Sequence, residues 1–290
     1  MGTRYTSVDV EGLKIFYREA GAKEAPVILL LHGFPSSSHM FRELIPLLAD
    51  TFRLVAPDYP GFGYSDAPSP TAFEYTFDHL AHVVSRFVDV VGLKRFSLYV
   101  QDYGAPIGFR LATRQPERIK SIIVQNGNAY EDGISSAFDQ LKPFWANRNH
   151  KTEARARGLL ARETTVFQYQ HGASDGARIS PDSYTLDQHF LDRPDNDSIQ
   201  LELLHNYPTN IALYPEWQAY FRRYQPPMLI VSGKNDPFFT PEGQLAYKRD
   251  LPDAEVHLLD TGHFALEDHS EVIAQHIRRF HLTRVHESIV

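Results

Sequence analysis

The sequence predicts an α/β fold: a mostly parallel, doubly wound sheet with helices on both faces and a helical segment inserted into it. Three observations predict it. Short apolar runs alternate with segments of helical spacing along most of the chain, and that rhythm stops between residues 127 and 224. Polar residues with catalytic chemistry follow several of the apolar runs, where a sheet of this kind collects ligands outside the carboxyl ends of its strands.

The chain opens with two alternating runs, residues 5–10 and 14–18, around Glu11-Gly12, which reads as a hairpin. Residues 26–31 are continuously apolar after Pro26, the pattern of a strand buried on both faces. A turn-rich loop follows, His32-Gly33-Phe34-Pro35-Ser36-Ser37-Ser38, and then Phe41, Leu44, Ile45, Leu47 and Leu48 at helical spacing. The strand at 52–56 runs into a glycine- and proline-rich stretch, 57–66. That stretch lacks the Lys and Ser/Thr end of a phosphate-binding loop and reads as a structured wall. A helix over 76–90 leads to the strand 96–100, which breaks at Gln101-Asp102-Tyr103-Gly104 and resumes as Ile107, Phe109 and Leu111 at helical spacing. Strand, sharp turn and helix in succession lift Asp102 to the tip of the turn.

After a strand at 119–124 the rhythm fails, and polar and aromatic segments with helical spacing, such as 134–145 and 183–190, take over. It returns with a strand at 228–232, a helix near 241–251, a strand at 255–259 and an amphipathic helix over 270–280. The expected organisation is a core in two parts, residues 1–126 and 225–290, around an inserted helical domain at 127–224.

Composition narrows the function classes. The formal net charge is −7, with no long run of either sign, so a nucleic-acid partner is not expected. The chain has no cysteine, which removes disulfides, thiolate nucleophiles and Cys-ligated metals. Its histidines show no paired metal-ligand spacing, so no metal or cofactor is expected. Residues 1–10 lack the form of a signal peptide, and no stretch approaches the roughly 18 apolar residues of a membrane span. The expectation is a cytoplasmic protein, monomer or homodimer, acting on a small molecule without a membrane partner.

Three polar residues carry the chemistry. Asp102 follows the strand at 96–100, Asp236 follows that at 228–232 in Gly233-Lys234-Asn235-Asp236-Pro237, and His263 follows that at 255–259 in Asp260-Thr261-Gly262-His263. Each alone has a bland reading as a turn residue. Together, at strand ends and in the order nucleophile, acid, histidine, they make a catalytic triad.

With His32-Gly33-Phe34-Pro35 and Asp58-Tyr59-Pro60-Gly61-Phe62-Gly63-Tyr64-Ser65, these segments resemble the α/β-hydrolase superfamily, in its branch with an aspartate nucleophile. Epoxide hydrolases and haloalkane dehalogenases form that branch. The resemblance implies the α/β-hydrolase fold with a helical cap at 127–224, an oxyanion hole from the backbone N–H groups of Phe34 and Tyr103, and a cis bond before Pro35. It also implies cap tyrosines as acids: Tyr169 in Phe167-Gln168-Tyr169 and Tyr207 in Asn206-Tyr207-Pro208, with Tyr214 in reserve.

An aspartate is already ionised at neutral pH and needs no base to attack. On an acyl carbonyl it would form a reactive anhydride, whereas on an sp³ carbon it forms a stable alkyl ester. Water activated by His263, which Asp236 orients, then cleaves that ester. An epoxide leaves an alkoxide that needs an acid, and a halide needs neutral donors. Dehalogenases that this chain resembles usually carry Trp after the nucleophile and many carry Asn in the first loop, where it has Tyr103 and Phe34. Its two tryptophans, Trp145 and Trp217, read as packing residues. Epoxide hydrolysis is therefore the expectation. Dehalogenation with the same triad and a catalytically idle binding module are the rivals.

Overall fold

The computed structural model describes residues 2–285. Eight strands form one sheet in the order β1-β2-β4-β3-β5-β6-β7-β8. The strands β1 (Arg4–Val10) and β2 (Leu13–Ala20) make the expected hairpin, and β2 runs antiparallel to β4 (Arg53–Pro57). From β4 onward every pairing is parallel, through β3 (Val27–Leu31), β5 (Phe96–Gln101), β6 (Ile119–Gln125), β7 (Met228–Gly233) and β8 (Glu255–Leu259). The continuously apolar runs become the central strands because a parallel sheet is covered on both faces. Leu29, Leu31 and Leu98 face one apolar cluster, and Ile28, Leu30 and Tyr99 face the other.

The helix Phe77–Val90 starts where Thr76 caps it, its side chain accepting from the His79 amide. With the helix Gly104–Arg114 it covers one face, and the helix Leu266–Arg284 covers the other. Between β6 and β7 the sheet gains no strand. That stretch holds short helical turns and the helices Arg162–Gln170, Pro181–Leu191, Asn196–Asn206 and Tyr214–Tyr224. The single helix expected over 134–145 is instead two pieces, a 3₁₀ turn Ser136–Gln140 and a short helix Lys142–Ala146. Pro143 has no N–H to continue the first piece, but it fits the opening turn of the second.

The strand-to-helix turn after β5 depends on small neighbours. Asp102 has φ 47, in the left-handed region that L-residues rarely enter. A Cβ on Gly104 would lie 2.1 Å from the carbonyl oxygen of Leu31, and one on Gly33 would lie 2.3 Å from the Asp102 Cβ. Val100 fits because Gly108 faces it: a Cβ there would approach a Val100 methyl to 2.6 Å. Because the Gly104 clash is with backbone, Gly104→Ala is expected to cost about 3 kcal/mol. Chemical denaturation of the purified variant reads this directly.

Candidate active site

The sheet brings the ends of β5, β7 and β8 to one edge of the molecule, and Asp102, Asp236 and His263 meet there. His263 Nδ1 lies 2.8 Å from Asp236 Oδ2. Asp236 is itself fixed: Oδ1 accepts from the Phe238 amide at 2.8 Å, and Oδ2 accepts from Asn126 Nδ2 at 2.8 Å. Asn126 in turn accepts from the Gly233 amide at 3.1 Å, joining the end of β6 to the end of β7. Both side chains of the His263–Asp236 pair are buried.

Asp102 and His263 line one pocket, walled largely by apolar and aromatic side chains that include Phe34, Phe138, Leu204 and Phe238. The Phe34 amide donates to Asp102 Oδ1 at 2.7 Å, and the Tyr103 amide adds a second backbone donor. The Phe34-Pro35 peptide is cis. Asp102 keeps some surface open to the pocket, but the protein around its carboxylate raises its pKa to about 6. Burial is the main cause, opposed by His263 and by the two backbone donors. Burial also pulls His263 down. The Asp236 carboxylate, by charge and hydrogen bond, and then Asp102 outweigh that and leave His263 raised. At neutral pH the pair therefore holds an ionised carboxylate beside a ring poised to exchange a proton.

The two tyrosines expected above the pocket part company. Tyr207 lines it, stacked on Trp145 with ring centroids 5.9 Å apart. Burial, then the neighbouring Tyr214, then Asp102 push its pKa well above that of a free phenol, so it stays protonated. Tyr207 neighbours Tyr214, whose hydroxyl accepts from Asn128 Nδ2 at 3.0 Å. Tyr169 is turned away from the pocket. Its ring stacks on Phe264 at 3.9 Å and its hydroxyl donates to Asp187 at 2.5 Å. The neighbouring Gln168 lines the pocket instead, since successive helical residues point about 100° apart.

Neither tryptophan lines the pocket. Trp145 Nε1 donates to the Leu204 carbonyl at 2.8 Å, and Trp217 is fully buried beside Phe109. The stretch that read as a wall is pinned by Asp58, which accepts from the amides of Ser38 at 2.7 Å and Tyr64 at 2.8 Å. Among the described residues no group of three His, Cys, Asp or Glu is placed to hold a metal ion. Sequence reasoning missed Gln101, Asn126 and Gln168. The signal for Gln101 was a polar residue ending an otherwise apolar strand.

Fold and site together define a hydrolase. The chain belongs to the α/β-hydrolase fold family, whose model matches residues 26–270. It is 41% identical to an uncharacterized hydrolase, YNR064C, of Saccharomyces cerevisiae over 94% of this chain and 96% of that one. It is 28% identical to a cis-3-alkyl-4-alkyloxetan-2-one decarboxylase of Shewanella oneidensis, covering 93% and 85% of the two chains. A haloalkane dehalogenase of Bradyrhizobium diazoefficiens is 39% identical over 55% of this chain and 47% of its own.

Proposed function

We propose that the protein hydrolyses a small, largely apolar epoxide to a vicinal diol through a covalent ester on Asp102, with residues 127–224 forming a cap over the site. The observation that carries this reading is Tyr207: a protonated phenol lines the same pocket as Asp102 and His263, while no indole does. In the first step an Asp102 oxygen attacks an epoxide carbon, the C–O bond breaks, and the departing alkoxide takes the Tyr207 proton. In the second, His263 takes a proton from water, and the hydroxide adds to the Asp102 carboxyl carbon. The oxyanion so formed sits against the Phe34 and Tyr103 amides, each donor supplying roughly 3 kcal/mol. Collapse releases the diol, whose leaving oxygen takes the His263 proton. The proton freed as the carboxylate re-forms returns Tyr207 to the phenol.

Alkylation also prepares the second step. Esterified Asp102 carries no charge, so one of the influences that raise the His263 pKa is gone when the ring must act as a base.

Dehalogenation is the second reading. The relative named as a haloalkane dehalogenase favours it, and so does the Gln168 amide, a neutral donor type that lines the pocket. The oxetan-2-one in another relative's name is a strained oxygen ring, which favours an oxygen leaving group.

Intact-protein mass spectrometry of His263→Gln separates these. Without the water-activating base the ester is stranded, so exposure to an epoxide should add the whole mass of the epoxide, mapped to Asp102 and lost in Asp102→Asn. Gain from a haloalkane minus its hydrogen halide, with none from any epoxide, assigns dehalogenation. Adducts from neither overturn the covalent reading.

A further inference from the structure

Gln101 ends β5, and its side chain is fully buried in a strand that is otherwise apolar but for Ser97. Its Nε2 lies 3.0 Å from His263 Nε2, the nitrogen that faces away from Asp236. Its Oε1 is buried without a partner, against Gly33, where a Cβ would approach it to 2.3 Å. Leaving half of an amide unpaired is a cost that leucine or methionine in this place would avoid. The arrangement therefore calls for a reason in the site.

The chemistry of the two nitrogens fixes the proton. An amide nitrogen only donates, so the ring nitrogen it meets presents a lone pair. Nδ1, at 2.8 Å from a carboxylate, then carries the ring's proton. That is the tautomer a general base requires.

We propose that Gln101 is a positioning residue of this site: its amide N–H, donated to His263 Nε2, holds the imidazole as a free base in the tautomer and orientation from which it activates water. The amide keeps the place that the attacking water takes once the ester has formed. This rests on the covalent reading for its role in turnover, but the contact itself is testable without a substrate. The charged groups facing the ring are Asp236, from the turn after β7, and Asp102, from the turn after β5. Its other neighbours are the aromatic rings of Phe238, Phe239 and Phe264. Both carboxylates favour the imidazolium, and the Gln101 amide joins burial in opposing them.

The test is a ¹⁵N-histidine titration of the full chain, with the His263 signals assigned by their loss in His263→Gln. The wild type should show neutral His263 protonated at Nδ1. In Gln101→Met the free base loses its donor, and the His263 midpoint should rise by about half a unit or more. Gln101→Glu, nearly the same shape, should raise it further. With a substrate that forms the ester, the acid limb of ester breakdown should move up in the same variants. A wild-type ring protonated at Nε2, or a midpoint unmoved in Gln101→Met, overturns the proposal. If Gln101→Met does not fold, an unmoved midpoint in Gln101→Glu does so. Failure to trap any ester counts against the covalent function and leaves these spectra interpretable on their own.

Discussion

Asp102→Asn is expected to abolish turnover and, at the same time, to raise the melting temperature at pH 8. Loss of a triad member typically costs 10⁴-fold or more, and asparagine has no carboxylate oxygen with which to form the ester. The stability gain follows from the pKa. Folding raises Asp102 from its ordinary value of 3.8 to about 6, chiefly by burial, so the folded protein binds this proton more tightly than the unfolded chain does. A carboxyl shifted in that direction costs nothing below its unfolded pKa. The cost then grows with pH and is complete above the folded pKa. Two units correspond to about 3 kcal/mol, and the partial opening of Asp102 to the pocket brings the expected gain nearer about 2 kcal/mol. Asparagine keeps the oxygen that accepts from the Phe34 amide and has no charge to desolvate. Melting curves of wild type and variant should therefore differ most at pH 8 and converge below about pH 4. A variant no more stable than wild type at pH 8 would mean that the carboxylate is well served by its surroundings. The same pKa sets the pH dependence of alkylation, which should fall as pH drops through about 6.

The strands and the strand-end positions of Asp102, Asp236 and His263 were legible in the sequence because both depend on short-range patterns. A strand buried on both faces must be apolar throughout, and β3, β5, β6 and β7 are nearly so. Asp102, Asp236 and His263 each sit in a turn directly after such a run. The supporting residues were not legible, because their partners lie far along the chain. Gln101 is 162 residues from His263, and Asn126 is 110 from Asp236. Gln101 shows locally only as a polar end to an apolar strand, and nothing local marks Asn126 as part of a site. The room for Val100 beside the turn comes from Gly108, on the next helix. The exchange of Tyr169 for Gln168 has a different cause. On a helix one residue is enough to turn a side chain from a pocket to a core, where Phe264 and Asp187 hold Tyr169.

Tyr207→Phe should divide the two surviving chemistries. An epoxide opened by Asp102 leaves as an alkoxide, which is far more basic than a phenol and gains most from a proton in the transition state. General acids of this kind contribute about 10²–10⁴-fold, and kcat/KM for an epoxide should fall by about 10²-fold or more. A halide leaves without a proton, so for a haloalkane the change should stay within about threefold, the scale on which lost packing alone acts. The fold tolerates the substitution, because the Tyr207 ring keeps its neighbours Trp145, Phe138 and Phe77. Tyr214 keeps its hydrogen bond from Asn128. Tyr214→Phe is a useful companion: it removes a polar neighbour of Tyr207 but leaves the acid in place, so its loss with an epoxide should be smaller than that of Tyr207→Phe. Equal losses for epoxide and haloalkane in Tyr207→Phe would reduce this phenol to a wall of the pocket. The oxygen leaving group would then have to find its proton elsewhere, and among the residues that line the pocket Tyr103 and His263 could deliver one.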